Sequence, residues 1–251
     1  MGALRSSRVN GPELTGLSHG QQSAGPFGSP APFKGVSPIR YAIYLTPPPD
    51  TPLCDAAARW LGRSPFGGPS SAPEAPDAAD AATPARYGFH ATMRAPFRLA
   101  DGATEGDLIA AFEIFAARHG SISAALRCAR LSRFVALVAE DNAPLAALSE
   151  AALAAFEPLR APLNPAERAR RNPEKMDERG RALLDAWGYP LVMERFVFHM
   201  TLSGPVESDA LPAVEAAARR HFAAFIGPPQ PLRFALFAEP APGEPFHVLA
   251  R

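Results

Sequence analysis

The sequence predicts an α+β fold, and three observations carry that reading. Strand-like stretches follow one another closely at Ile122–Leu131 and Phe134–Val138, which suits antiparallel pairing through a tight turn. Helical spacing recurs between strands without strict strand–helix alternation, so a doubly wound parallel sheet fits less well. A short pattern also occurs twice, once in each half of the chain: Gly88-Phe89-His90-Ala91-Thr92-Met93 and Val197-Phe198-His199-Met200-Thr201-Leu202.

Residues 1–37 are rich in Gly, Ser and Pro without helical or strand periodicity, and read as a disordered extension or an overlong gene start. The folded part is expected over 38–250. Its first strand is Ile39 to Leu45, stopped by Pro47-Pro48-Pro49, and a short helix follows from Leu53 to Leu61. From Gly62 to Pro84 the composition reads as a long mobile loop. The first motif strand, Tyr87 to Arg94, ends at Pro96. Leu108, Ile109, Phe112 and Phe115 give helical spacing over Thr104–Arg118, with Thr104 as N-cap. After the two paired strands comes a helix from Ala143 to Leu159, then the polar segment Asn164–Arg171. A helix from Glu174 to Trp187 is stopped by Gly188 and Pro190. The second motif strand spans Arg195 to Ser203. A helix over Leu211–Phe225 and strands at Leu232–Phe237 and Phe246–Leu249 complete the chain.

With 251 residues, 47% of them hydrophobic, the chain can bury a sizeable core. Its 25 basic and 25 acidic residues balance, which argues against a broad electrostatic footprint for long nucleic acid or an anionic membrane. Cys54 and Cys128 make neither a disulfide framework nor a metal knuckle. No apolar run reaches membrane-spanning length. The default expectation is a cytoplasmic monomer with no membrane partner.

In an extended chain each copy of the repeated pattern puts His and Thr on one face and three apolar side chains on the other. A lone strand histidine is more often a structural residue. Two in matching apolar frames, 109 residues apart, point to a site. Two imidazoles supply a base and an acid near neutrality, and two hydroxyls can hold phosphate oxygens. The scheme needs no cofactor or metal.

The pair His90-Ala91-Thr92 and His199-Met200-Thr201 resembles the two-histidine (2H) phosphoesterase superfamily. Arg86-Tyr87-Gly88-Phe89-His90-Ala91-Thr92 with Ala95-Pro96-Phe97 is similar to the branch associated with bacterial phosphonate-utilisation operons. Arg40-Tyr41-Ala42-Ile43-Tyr44 and Trp187-Gly188-Tyr189-Pro190 add to that likeness. One departure is Arg94, where the branch's pattern has Lys; Arg keeps the charge and changes its geometry. The resemblance implies a two-lobed fold with antiparallel sheets and flanking helices around a central cleft, one motif strand per lobe. It also implies a metal-independent phosphoesterase, a hydrolase of a small cyclic or diester phosphate such as a ribose cyclic phosphate, with His90, His199, Thr92 and Thr201 catalytic. The alternatives are RNA-terminus processing on a short RNA end, and a binding module that recognises a phosphorylated ligand without turning it over.

Candidate substrate-binding residues are Tyr41, Arg94, Arg133 and Arg195. Tyr41 and Tyr44, read as in phase on the first strand, could reach the cleft, although tyrosines on an apolar strand are more often core. Arg133 taken alone fits a solvated turn. Arg168-Arg170-Arg171, interleaved with Glu167 and Glu174, reads as a solvated face, with phosphate or RNA contact the minority option. His19, His119, His221 and His247 lack a Thr two residues on. No Gly-x-x-x-x-Gly-Lys phosphate loop is present, and Leu61-Gly62-Arg63-Ser64-Pro65 only superficially resembles one.

Overall fold

Among the described residues seven strands form the framework: β1 (Arg40–Thr46), β2 (Ala91–Phe97), β3 (Ile122–Leu131), β4 (Phe134–Ala139), β5 (His199–Thr201), β6 (Pro229–Glu239) and β7 (His247–Ala250). The computed structural model describes residues 40–251, apart from the side chain of residue 78. The extension expected over residues 1–37 lies outside the described residues. The strands run in the order β1-β2-β5-β4-β3-β6-β7, and β1 pairs with β6 as well. Every pairing between these strands is antiparallel, as the α+β reading requires. The long β6 serves three neighbours: Pro229–Leu232 pair with β3, Arg233–Glu239 pair with β1, and Leu236–Ala238 pair with β7 on the other edge.

The described residues also form seven α-helices: α1 (Pro52–Leu61), α2 (Ala82–Ala85), α3 (Glu105–His119), α4 (Ala143–Phe156), α5 (Pro165–Ala169), α6 (Glu178–Trp187) and α7 (Leu211–His221). Their ends follow local chemistry. The Thr104 hydroxyl accepts from the Asp107 N–H at 3.1 Å while the Asp107 carboxylate takes the Thr104 N–H, a capping box that starts α3 where the sequence places it. Gly188, at φ +74°, ends α6. None of these helices is long and apolar enough to cross a membrane.

Alternation divides the sheet. Ile43, Leu45, Ala91, Met93, Val135, Leu137 and Met200 belong to the main core with Trp60, Phe112, Phe156 and Phe222. Ala42 and Tyr44 belong instead to a small cluster with Ala235, Phe237 and Phe246. Helices α3, α4 and α7 pack against the strands, so the helix-covered face is filled and the opposite face is left to form a cleft.

Several boundaries differ from expectation for identifiable reasons. The stretch Gly62–Pro84 is not an unpinned loop: Ser71 N–H donates to Gly62 O and Glu74 N–H to Arg59 O, both at 2.9 Å, folding it back on the end of α1. The first motif strand begins at Ala91 rather than Tyr87, because Gly88 turns the chain at φ +76°. The second is only His199–Thr201, since a turn at Met193–Arg195, with Met193 at φ +53°, precedes it. The two motif strands are also direct neighbours, paired at Ala91 and Met200.

Candidate functional site

The apolar half of each motif anchors its polar half. Phe89, Ala91 and Met93 are buried, as are Phe198, Met200 and Leu202, while His90, Thr92, His199 and Thr201 are partly exposed. A buried Phe contributes about 1.5–3 kcal/mol relative to an exposed one, which holds each strand to one facing. With Ala91 opposite Met200, antiparallel register brings Thr92 opposite His199 and His90 opposite Thr201. Four polar side chains thus share one patch of sheet.

Both imidazoles are fixed in the same way. His90 Nδ1 lies 2.8 Å from the Gly88 carbonyl and His199 Nδ1 lies 2.7 Å from the Val197 carbonyl, each two residues back along the chain. A carbonyl only accepts, so Nδ1 carries the proton and Nε2 is left for other chemistry. In His90, Nε2 lies 3.2 Å from Thr92 Oγ1, which donates to it while the ring is neutral. Tyr44 stacks on the same ring, with Tyr87 and Phe237 nearby. Burial pushes the His90 pKa down to about 4; the Gly88 contact opposes the shift and the nearby His199 adds to it.

These residues line a cleft of about 780 Å³, with Arg40, Arg86, Arg170 and Arg171 also on its wall. Arg40 grips buried Glu239 through Nε at 2.6 Å and Nη2 at 2.9 Å, and Arg86 pairs with the same carboxylate. Burial pushes Glu239 up, but Arg40, the Gly243 N–H and Arg86 more than offset this and hold it below the usual carboxylate range. Among the described residues no cluster of three His, Cys, Asp or Glu offers a metal site.

The four expected binding residues do not line this cleft. Tyr41 lies three positions from Tyr44, hence on the opposite face. It is buried in the core and donates to Glu105 at 2.9 Å. Arg94 is only 1% exposed and pairs with Glu157 beneath the sheet. Register shifts in β1–β2 (Tyr44 opposite Thr92, then Ile43 opposite Arg94) break the alternation that would have kept Arg94 in phase with His90 and Thr92. Arg133 is held by Glu207 and the Val206 carbonyl. Arg195 donates to Asp177 at 2.6 Å. The basic segment splits: Arg168 pairs with Asp185, while Arg170 and Arg171 reach the cleft. Arg40, Arg86 and Tyr44 lie in the segments Arg40–Tyr44 and Arg86–Thr92, and tertiary pairing brings them beside the histidines.

Gly62 and Arg63 do not build a phosphate loop. Gly62 ends α1 at φ +73°, and Arg63 spends its guanidinium on the carbonyls of Ala85, at 2.8 Å, and Phe246.

Fold and site define an α+β protein with paired His-x-Thr strands on the floor of an arginine-walled cleft. The chain belongs to the family described as "Protein of unknown function (DUF1045)", whose model matches residues 92–247. It is 35% identical over 257 residues to the ribose 1,5-bisphosphate phosphokinase PhnN of Janthinobacterium sp. (strain Marseille), covering 92% of this chain and 55% of that protein. It is 37% identical over 216 residues to the protein of the same name from Laribacter hongkongensis (strain HLHK9), covering 84% and 50% respectively. The chain therefore spans about half the length of these curated relatives. The family match and the PhnN name support the phosphonate-associated context. They correct the expected activity: relatives named as kinases transfer a phosphoryl group, which conflicts with a hydrolase, whether a metal-independent phosphoesterase or an RNA-end phosphodiesterase.

Proposed function

We propose that the cleft binds a phosphorylated ribose and moves protons at its phosphate during phosphoryl transfer, as the sugar-binding part of a ribose phosphokinase-type protein. The observation that carries this reading is the shared face of His90, Thr92, His199 and Thr201, with both Nδ1 atoms committed to backbone carbonyls. A neutral His90 takes at Nε2 the proton of the sugar-phosphate oxygen that attacks the terminal phosphorus of a phosphoryl donor; as that P–O bond forms, the bond to the donor's departing oxygen breaks, and His199 gives that oxygen a proton. On ligand binding the Thr92 hydroxyl turns from His90 Nε2 to donate to a non-bridging phosphate oxygen, which frees Nε2; Thr201 donates to another, and the arginine wall offsets their charge. The relatives' names supply the sugar and the reaction type. The sequence lacks a nucleotide phosphate loop, which supports assigning the sugar, rather than the nucleotide, to this cleft.

The finer architecture belongs to the same proposal. About β6 the sheet divides into β2-β1-β6-β7 and β5-β4-β3-β6, each half carrying one His-x-Thr strand. We read these halves as the two lobes of the two-histidine superfamily, without its hydrolytic activity.

Titration calorimetry with ribose 5-phosphate and unphosphorylated ribose tests the reading. Binding of the phosphate ester alone, weakened at least tenfold in His90→Ala and His199→Ala, is the expected result. Equal binding of both sugars, or none of either, overturns it.

A further inference from the structure

We infer that the cleft contains a second anion subsite, built by Arg170 and Arg171, so that its ligand is a doubly phosphorylated sugar held at both ends. This rests on the phosphorylated-ribose reading and extends it. One phosphate lies at the His/Thr face and the other at the arginine pair.

Charge compensation singles out these two residues. Four arginines line the cleft, and two of them, Arg40 and Arg86, share Glu239; outside its lining, Arg98 holds Glu167 at 2.8 Å and Arg168 holds Asp185 at 2.7 Å. Among the described residues, Arg170 and Arg171 have no carboxylate within ion-pair distance, yet both line the cleft. Glu167, also on the cleft lining and already held by Arg98, reaches Arg170 only through longer-range attraction; the two neighbouring guanidiniums therefore keep N–H donors that a dianion can take as paired, charge-assisted bonds.

The pair is also placed, not merely present. The capping box of Asn164 and Glu167 starts α5, and the Arg98–Glu167 pair ties that helix to the segment following β2. The chain then turns at Asn172, φ +49°. Arg170 Nε donates to the Ala166 carbonyl at 3.3 Å, and the Arg171 guanidinium lies 5.2 Å from the Tyr189 ring centre. Such stacking holds a guanidinium by one face and leaves its N–H edge free. Tyr189 lines the same cleft as His90 and His199, so the stack connects the arginines to the histidine floor. At about 780 Å³ the cleft is in the range that encloses a whole small-molecule ligand, far more than one phosphate needs.

The test is calorimetry of ribose 5-phosphate and ribose 1,5-bisphosphate against wild type, the double variant R170A/R171A, and R170K/R171K. Wild type should bind the bisphosphate at least about tenfold more tightly than the monophosphate. R170A/R171A should lose that advantage, and R170K/R171K should keep part of it, with unchanged melting temperatures showing that the fold is intact. If wild type binds both ligands equally, or R170A/R171A weakens both by one factor, the second subsite is wrong and the phosphorylated-ribose reading stands. If wild type binds neither at millimolar concentration, that reading fails and this inference fails with it.

Discussion

Tyr44 lies nearly flat on His90, with ring centroids 3.8 Å apart and planes 23° from parallel. Strand pairing makes the contact: Tyr44 on β1 stands beside Thr92 on β2 and shares the cleft face with it. The buried ring shields one side of the imidazole from water, and burial is the main cause of the low His90 pKa. Tyr44→Leu should therefore raise the His90 pKa from about 4 toward its ordinary value, while Tyr44→Phe should leave it low. An NMR titration of the imidazole reads both. An unchanged value in Tyr44→Leu would place the source of desolvation elsewhere.

The same shift makes stability depend on pH. Above about pH 6.5 His90 is neutral whether the chain is folded or not, so it contributes no slope. Between that value and the folded pKa of about 4, the unfolded chain takes up a proton that the folded one refuses. Stability falls as pH falls through this window and levels off below it. Relative to His90→Gln, wild type should lose roughly 2 kcal/mol between pH 7.5 and 5 in urea unfolding. Parallel profiles for the two proteins would show that His90 titrates normally.

Gly88 positions the His90 imidazole through its carbonyl. Its φ of +76° suits glycine, and a Cβ there would come within 2.6 Å of Pro65 Cβ. Gly88→Ala should cost about 1–3 kcal/mol and weaken ligand binding beyond what the stability loss explains. A variant with lower melting temperature but wild-type affinity would separate the turn from the tautomer it fixes.

Glu239 is the common anchor of Arg40 and Arg86. Glu239→Gln keeps its shape but removes the charge that holds two cations and the Gly243 N–H. A melting shift equivalent to about 1–3 kcal/mol is expected. Sugar-phosphate affinity should fall with it, because both arginines lose their fixed orientation. Restored affinity at lower salt would show that their charge alone suffices.

Much of this arrangement was legible in sequence. The period-two frames around His90 and His199 foretold which side chains are buried and which line a cleft, because strand geometry leaves little choice once Phe89 and Phe198 must be covered. The arginine wall was not legible, since Arg40, Arg86, Arg170 and Arg171 come from segments that meet only through tertiary pairing. Arg94 was misplaced because a register shift is invisible to simple alternation. Tyr44 reaches the cleft as expected, but Tyr41 does not, because an odd separation puts two strand residues on opposite faces.

Those corrections make a direct prediction about the arginines. Arg133 and Arg195 spend their guanidiniums on Glu207 and Asp177, away from the cleft. Arg133→Ala and Arg195→Ala should leave sugar-phosphate affinity within about twofold of wild type, since exposed pairs of this kind contribute little. Arg94 is different. It is buried, with Nη1 unpartnered and Glu157 also held by Arg160 at 2.6 Å. Arg94→Leu removes a buried cation without stranding its carboxylate, so stability should change by less than about 1.5 kcal/mol and affinity should hold. Thr201→Val gives the contrast: it keeps the strand's shape but removes a hydroxyl on the histidine face, and affinity should fall about tenfold. If Arg133→Ala or Arg195→Ala matched that loss, a phosphate contact outside the described cleft would have to be placed on the other side of β4 or α6.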